Sequence, residues 1–281
     1  MSSQAPKAPA ATVQPQSNEI RIVSHSNLFY WWPVWAVGFI MGILTYADGH
    51  RMAIVPSDTE VLRNASVKGE LANGDIREAK GRDVLYTAEG KHLPAYDNPH
   101  FHVATNKGYA VLYAIILLLV IVITNVPLRG LWSVVVLITI VLLSIIFQLA
   151  GWWEHILDAL ARLHIYINAG GYFMISTALF TIWLVTFVFF DPQIYMLFTP
   201  KQLRVRQEIG GGEVAYDTTG MVIQKQRNDL FRHWVLGLGS GDLIVNTSGA
   251  TAHHFDMPNV LFVGYKLQQI EEMLREVELA P

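Results

Sequence analysis

The residue types best suited to chemistry are three histidines with an aspartate among them: His92, Asp97, His100 and His102. On an extended segment, two imidazoles at i and i+2 face the same way and could share a metal ion. Such a centre would make an extracytoplasmic metal-dependent enzyme. No further ligands stand at a recognised spacing, so solvated loop histidines are the favoured reading and no metal site is assigned. His233, His253 and His254 lack a carboxylate or nucleophile in triad-like order and read as surface or edge-strand histidines. The run Gly237-Leu-Gly239-Ser-Gly241 fails the dinucleotide pattern because Asp242 follows it. It also fails the nucleophile elbow, because Leu238 stands at the first glycine position, and it has no Lys-Ser or Lys-Thr of a phosphate loop. Glycines that turn a strand are the better account. The absence of cysteine excludes disulfides, thiol nucleophiles and iron–sulfur ligation. No catalytic residue and no cofactor are assigned, and a non-enzymatic protein is expected.

Lys201, Arg204 and Arg206 are a different kind of candidate. They follow closely on a long apolar run, where each basic group could contribute about 1 kcal/mol towards an anionic lipid surface. The residues from Asp191 onward include 8 basic and 11 acidic side chains, so this region as a whole is not held to membranes by charge. These three residues are therefore expected to form a local membrane-proximal or partner contact. The formal net charge of −3 excludes a strongly basic nucleic-acid binder.

The elements that must position these residues are mostly apolar. Of 281 residues, 52% are apolar and 15% charged, where about a quarter charged is usual for a soluble protein. Residues 109–125, 131–150 and 170–190 contain no Asp, Glu, Lys or Arg. A hydrocarbon core about 30 Å thick needs roughly 20 apolar helical residues, and four segments meet that requirement: about 29–47, 109–125, 131–151 and 170–190. Phe29, Tyr30, Trp31 and Trp32 suit the headgroup level at the start of the first, with Pro33 in its opening turn. A cleavable signal peptide is disfavoured by the long lead-in and the absence of a small-x-small cleavage site near Asp48. Residues 1–28 are expected to be a disordered cytoplasmic tail. Four crossings put both termini on one side. Arg21, Arg129, Lys201, Arg204 and Arg206 mark that side as cytoplasmic, against Arg51, Lys107 and Arg162 opposite.

Residues 48–108 carry frequent turn formers and no sustained period, so a partly irregular extracytoplasmic lobe is expected. Within 154–168, Ile156, Leu157, Leu160, Leu163 and Ile167 share one helical face, with Glu154, Asp158 and Arg162 on another. That pattern predicts an interfacial amphipathic helix, the alternative being a continuation of the third span. The span interiors hold no ionisable side chain of the kind that pumps and ion-coupled carriers bury. A transporter or channel component remains the alternative function, for which Thr124, Asn125, Ser144, Gln148 and Ser176 would line a polar cavity.

From Gln193 onward the pattern changes to short runs. Ile194–Phe198, Leu203–Ile209, Val214–Asp217, Met221–Gln226, Asp242–Thr247 and Ala252–Asp256 read as strands, and Val263–Glu278 as an amphipathic helix. The order of features is Tyr195-Met-Leu-Phe-Thr199-Pro-Lys-Gln-Leu203, Arg204-Val-Arg206, Met221-Val-Ile-Gln-Lys-Gln-Arg227, Gly237 to Val245, then Met257-Pro-Asn-Val260 and the helix. This final third of the chain resembles the bacterial pleckstrin-homology-like domain found beside membrane spans. The resemblance implies a seven-stranded barrel with a C-terminal helix over 193–278, used for binding or assembly at a bacterial inner membrane. The expected partners are membrane lipids and other proteins or a second copy of the chain. The fold class read from the sequence is thus a four-helix membrane protein carrying a small, mostly β domain.

Overall fold

A computed structural model describes residues 19–70, 74–86, 99–126, 130–227, 229–248 and 252–278. His92, Asp97 and Arg129 lie outside the described residues. In chain order the elements are β1 (Ile20–Val23), a 3-10 turn (Asn27–Trp31), α1 (Trp32–Ala47), β2 (Arg51–Met52), β3 (Glu60–Glu70), β4 (Ile76–Tyr86), β5 (Phe101–His102), α2 (Gly108–Asn125), α3 (Leu131–Leu149), α4 (Trp152–Arg162) and α5 (Ala169–Val185). There follow a π-helical turn (Thr186–Phe190), a 3-10 turn (Asp191–Gln193), β6 (Tyr195–Phe198), β7 (Gln202–Arg206), β8 (Val214–Asp217) and β9 (Val222–Gln226). A second π-helical turn (Phe231–Leu236), β10 (Gly241–Asn246), β11 (His254–Val260) and α6 (Val263–Glu278) complete the chain. These form two compact units: 31–125 with 138–182, and 1–30 with 126–137 and 183–281.

In the first unit, helical packing depends on small residues. A Cβ at Gly38 would overlap Ser176 Oγ and lie 3.0 Å from the Tyr113 ring, and one at Gly42 would lie 3.0 Å from the Phe173 ring. Gly38 and Gly42 are four residues apart on α1, so they bring its backbone close to α2 and α5, as small residues do where apolar helices meet without a hydrophobic driving force. Among the described residues, four helices are long and apolar enough to cross a membrane: Asn27–Ala47, Gly108–Asn125, Leu131–Leu149 and Ala169–Gln193. Gly151, at φ +69°, breaks α4 away from α3, so α4 is a separate helix and not an extension. It ends at Arg162, earlier than the expected 168, because His164 turns the chain at φ +49°. The lobe between α1 and α2 is more regular than expected: β3 and β4 pair antiparallel as a long ribbon with register shifts beside Asn64 and Ala65. Val61, Ile76 and Tyr86 remain exposed on it, so burial of one face did not create the one-sided alternation by which strands are recognised.

The second unit holds the β domain. One sheet has the order β1-β6-β7-β8, the other β11-β10-β9. Ile22, Met196, Phe198, Leu203 and Val205 from the first face Leu243, Val245, Phe255, Met257 and Val260 from the second, with Val263, Ile270 and Met273 of α6 closing the core. Buried and wet residues alternate along β6, β7 and β10, as sheets with one packed face require. Among the described residues the domain has seven strands and the C-terminal helix, in two sheets that do not close into a barrel. Near one gap Ser24 Oγ donates to the carbonyl of Pro258, a residue of the β11 edge that has no N–H to continue a ladder. The N-terminal segment also differs from expectation. Ile20–Val23 is not a disordered tail but a strand in register with β6, Ile20 opposite Phe198 and Val23 opposite Tyr195. The β domain therefore begins before the first apolar helix, and 193–278 is only part of it.

Candidate functional site

Two of the three expected basic residues, Arg204 and Arg206, lie on the outer face of the four-stranded sheet. Tyr195 pairs with Arg206 and Leu197 with Arg204, while Arg21 of β1 stands across from Leu197. Arg21 was missed as a member of this face. Its guanidinium lies 4.4 Å from the centre of the Tyr195 ring and donates to the Pro192 carbonyl at 2.6 Å. Glu213 tempers the charge: it accepts from Tyr195 Oη at 3.0 Å and faces Arg204 Nε at 3.7 Å. Lys201 does not join the group. It occupies the turn closed by Thr199 and Gln202 at the far end of β6, five residues and about 16 Å along the strand from Arg206. The Arg21 guanidinium and Arg206 lie toward the end of the sheet where the chain enters from Asp191–Gln193, and Lys201 at the other.

A second, buried constellation ties the N-terminal segment into the domain. His25 Nδ1 lies 3.0 Å from Asp191 Oδ2, both side chains almost fully buried, and Ser26 N–H donates to Asp191 Oδ1 at 3.3 Å. The His25 ring stacks on Phe187 at 5.1 Å, and Trp183 Nε1 donates to the Phe29 carbonyl at 3.1 Å. Tyr30 Oη donates to Asn259 Oδ1 at 2.9 Å and lies 3.0 Å from Ser240 Oγ. Asn259 in turn donates from Nδ2 to the His25 carbonyl at 2.8 Å and to Asn27 Oδ1 at 3.1 Å. It adopts φ +57°, a left-handed conformation that Asn tolerates better than most residues.

Asp242 is the charged centre of this network. It accepts from Arg232 Nη2 at 3.0 Å and from the Asn259 N–H at 3.0 Å, and faces His233 Nε2 at 3.3 Å. Burial by itself would raise the Asp242 carboxyl pKa. The His233 ring, the Asn259 N–H and the Arg232 charge outweigh that effect and hold it below the ordinary value. Asp229 caps the turn that carries these residues, accepting the Arg232 N–H at 2.9 Å. His233 is thus a buried residue beside a carboxylate, not the surface histidine expected from sequence. Comparison with family models, curated proteins and solved structures returns no match. The site is therefore read from its geometry alone. The Asp191, Asp229 and Asp242 carboxylates and the Ser24, Tyr30 and Ser240 hydroxyls are engaged within the fold, so the network works as a latch holding residues 24–30 against the β domain.

The other candidate residues are dispersed. His253 packs on Tyr216 at 5.0 Å, and His254 Nδ1 lies 2.7 Å from Asn246 Oδ1. His102 in β5 packs on Tyr46 at 4.7 Å. Among the described residues no three His, Cys, Asp or Glu side chains converge as metal ligands. Thr124 Oγ1 donates to the Val120 carbonyl and Asn125 Nδ2 to the Ile121 carbonyl, both of their own helix. A cleft of about 150 Å³ opens by the β7–β8 hairpin, where Gly211 and Gly212 meet Gln207, Glu208, Tyr216 and Phe255.

Proposed function

We propose that this chain is a non-enzymatic integral membrane protein in which four helices carry a pleckstrin-homology-like domain at the cytoplasmic face for binding or assembly. The observation that carries the reading is the pairing of β1 with β6. These strands flank the four apolar helices in sequence yet share one ladder, so an even number of crossings must separate them, and four satisfies that requirement. Two packed sheets of four and three strands with a closing C-terminal helix support the domain assignment. The excess of Lys and Arg at Arg21, Lys201, Arg204 and Arg206 supports the cytoplasmic side. A channel or carrier is disfavoured because Thr124 and Asn125 return their hydrogen bonds to their own helix.

On this reading the outer face around Arg21, Arg204 and Arg206 receives a protein partner. A photo-crosslinking residue at Arg204 or Arg206, in the intact protein in its native membrane, should give one discrete protein adduct. The same group at Glu60 on the ribbon should not give that adduct. Lipid-only labelling at both strand positions would overturn the binding role.

A further inference from the structure

Five large apolar side chains at one end of the β domain are left in water: Trp234, Val235, Leu238, Phe262 and Tyr265, each from 59 to 66% exposed. They come from two places in the chain that the sheet brings together. Gly241 opens β10 opposite Val260, near the end of β11, so the turn before β10 and the turn after β11 leave the sheet side by side. The first carries Leu238, the second Phe262. Contacts across the two turns agree: a Cβ at Gly241 would lie 2.8 Å from Val263 Cγ1, while Arg227 Nη2 donates to the Gly239 carbonyl and lies beside Gly264. The two turns thus bring Leu238 and Phe262 to one end of the domain, with Trp234, Val235 and Tyr265 a few residues away in the chain, a grouping of exposed apolar side chains that single surface residues do not make.

Its backbone is as unusual as its exposure. Leu238 and Phe262 have φ +49° and +50°. Bulky residues rarely adopt the left-handed region, which Gly or Asn fills at less cost. Neither side chain is used to fill the core. Strain of this kind, kept on exposed apolar residues, marks a surface held in place for an interaction.

The same end of the domain carries the ends of two apolar helices. Gly237, next to Leu238, meets the Tyr30 ring at the start of Asn27–Ala47, where an added Cβ would lie 2.8 Å from Tyr30 Cε1. Ser24 binds the Pro258 carbonyl and the Ile194 carbonyl, which places the end of β11 beside the end of Ala169–Gln193. The aromatic cluster Phe29 to Trp32 has the composition of a headgroup-level belt, and Trp234 and Tyr265 have the same amphipathic character. Lys225 Nζ lies beside Gly264 at the rim of the face, suited to anionic headgroups.

We propose that Trp234, Val235, Leu238, Phe262 and Tyr265 form a foot that inserts into the headgroup–acyl boundary of the leaflet entered by the two flanking helices, with the lipid surface as its ligand. This rests on the reading of the chain as a membrane protein. The foot fixes the domain against the bilayer and leaves the Arg21, Arg204 and Arg206 face free for its partner.

Because the chain has no cysteine, single cysteines can be introduced for spin labels in the full-length protein. Leu238→Cys and Phe262→Cys would be labelled in nanodiscs of phosphatidylcholine and phosphatidylglycerol holding one copy each. Ile138→Cys on α3 and Thr219→Cys at the opposite end of the domain serve as controls. The expected result is faster collision with oxygen than with a water-soluble nickel chelate at 238, 262 and 138, and the reverse at 219. An aqueous signal at 238 and 262 with a lipid signal at 138 overturns the foot but leaves the membrane reading intact. An aqueous signal at 138 overturns the membrane reading itself. A parallel set of discs holding two copies tests self-association: shielding of 238 and 262 from both agents there, with an aqueous signal in the one-copy discs, assigns the face to a second copy and overturns the proposal. The paired variant Leu238→Asn with Phe262→Asn gives an independent check. It relieves the left-handed strain, so the domain should unfold at a higher temperature, while a label at Tyr265→Cys moves from lipid to water. Loss of thermal stability without that move overturns the proposal.

Discussion

Ile22 offers a sharp test of whether the β domain includes residues that precede the first apolar helix. Its side chain is fully buried among Met196, Phe198 and the core residues of the second sheet. Truncation to alanine removes about 1.5–3 kcal/mol of burial and leaves a cavity, giving a total near 2–5 kcal/mol. At about 1.4 kcal/mol per tenfold change, exchange protection limited by domain opening should fall by roughly thirty-fold to several thousand-fold. The assay is amide hydrogen exchange of the full-length protein in nanodiscs, read at Tyr195–Phe198, the partners of β1. Amides of α1 and α2 report on the helical unit and should keep their protection. Glu19→Ala, at an exposed position just before β1, should leave all of these values unchanged. Unaltered protection at Tyr195–Phe198 in Ile22→Ala would refute the strand assignment. So would an equal loss in Glu19→Ala, since burial would then not be the cause.

Asp242 should make domain stability sensitive to acid. Its folded pKa lies below the unfolded value, so its contribution is present above about 3.8 and is lost as pH falls through the folded pKa. Asp242→Asn should lower stability at neutral pH and flatten the acid limb of a melting-temperature profile against pH; an unchanged acid limb would contradict the role given to this carboxylate. Gly237→Ala should cost about 1–3 kcal/mol by overpacking, because the new methyl meets the Arg232 carbonyl at 2.7 Å as well as Tyr30, and backbone cannot rotate away. Thermal unfolding of the purified protein measures this directly, and a wild-type melting temperature would show that Tyr30 does not approach as described.

Much of the architecture was legible because it arises from local periodicity. The apolar runs gave the helices with small boundary shifts, and Val214–Asp217 and Val263–Glu278 were read at their observed limits. Elements with little burial were harder. The β3–β4 ribbon exposes residues on both faces, so no one-sided alternation existed to be read. β1 is only four residues long and follows a polar, proline-rich stretch, and the signal in Ile20 and Ile22 is too short to stand alone. The latch was invisible for another reason. His25 and Asp191 are 166 positions apart, and Tyr30 and Asn259 are 229 apart, so the residues acquire meaning only once the sheet has formed. Asp191 directly follows Phe190, the last residue of the fourth apolar run. An isolated acid at such a boundary was the one available hint, and nothing local pointed to histidine as its partner. The basic face was half legible: closeness to the last apolar run picked out Arg204 and Arg206, but only strand register could remove Lys201 and add Arg21.

The ladder between β1 and β6 also orders events during synthesis. The first strand leaves the ribosome about 170 residues before its neighbour exists, and at roughly 5–20 residues per second it waits on the order of ten seconds or more. During that interval Ile20 and Ile22 have no sheet to join, and the remaining six strands of the domain have not yet been made. On the proposed membrane reading, a molecule that inserts one helix too few leaves its N-terminal strand across the bilayer from the rest and cannot complete its core. On that reading, completion of the β domain depends on correct insertion of all four helices.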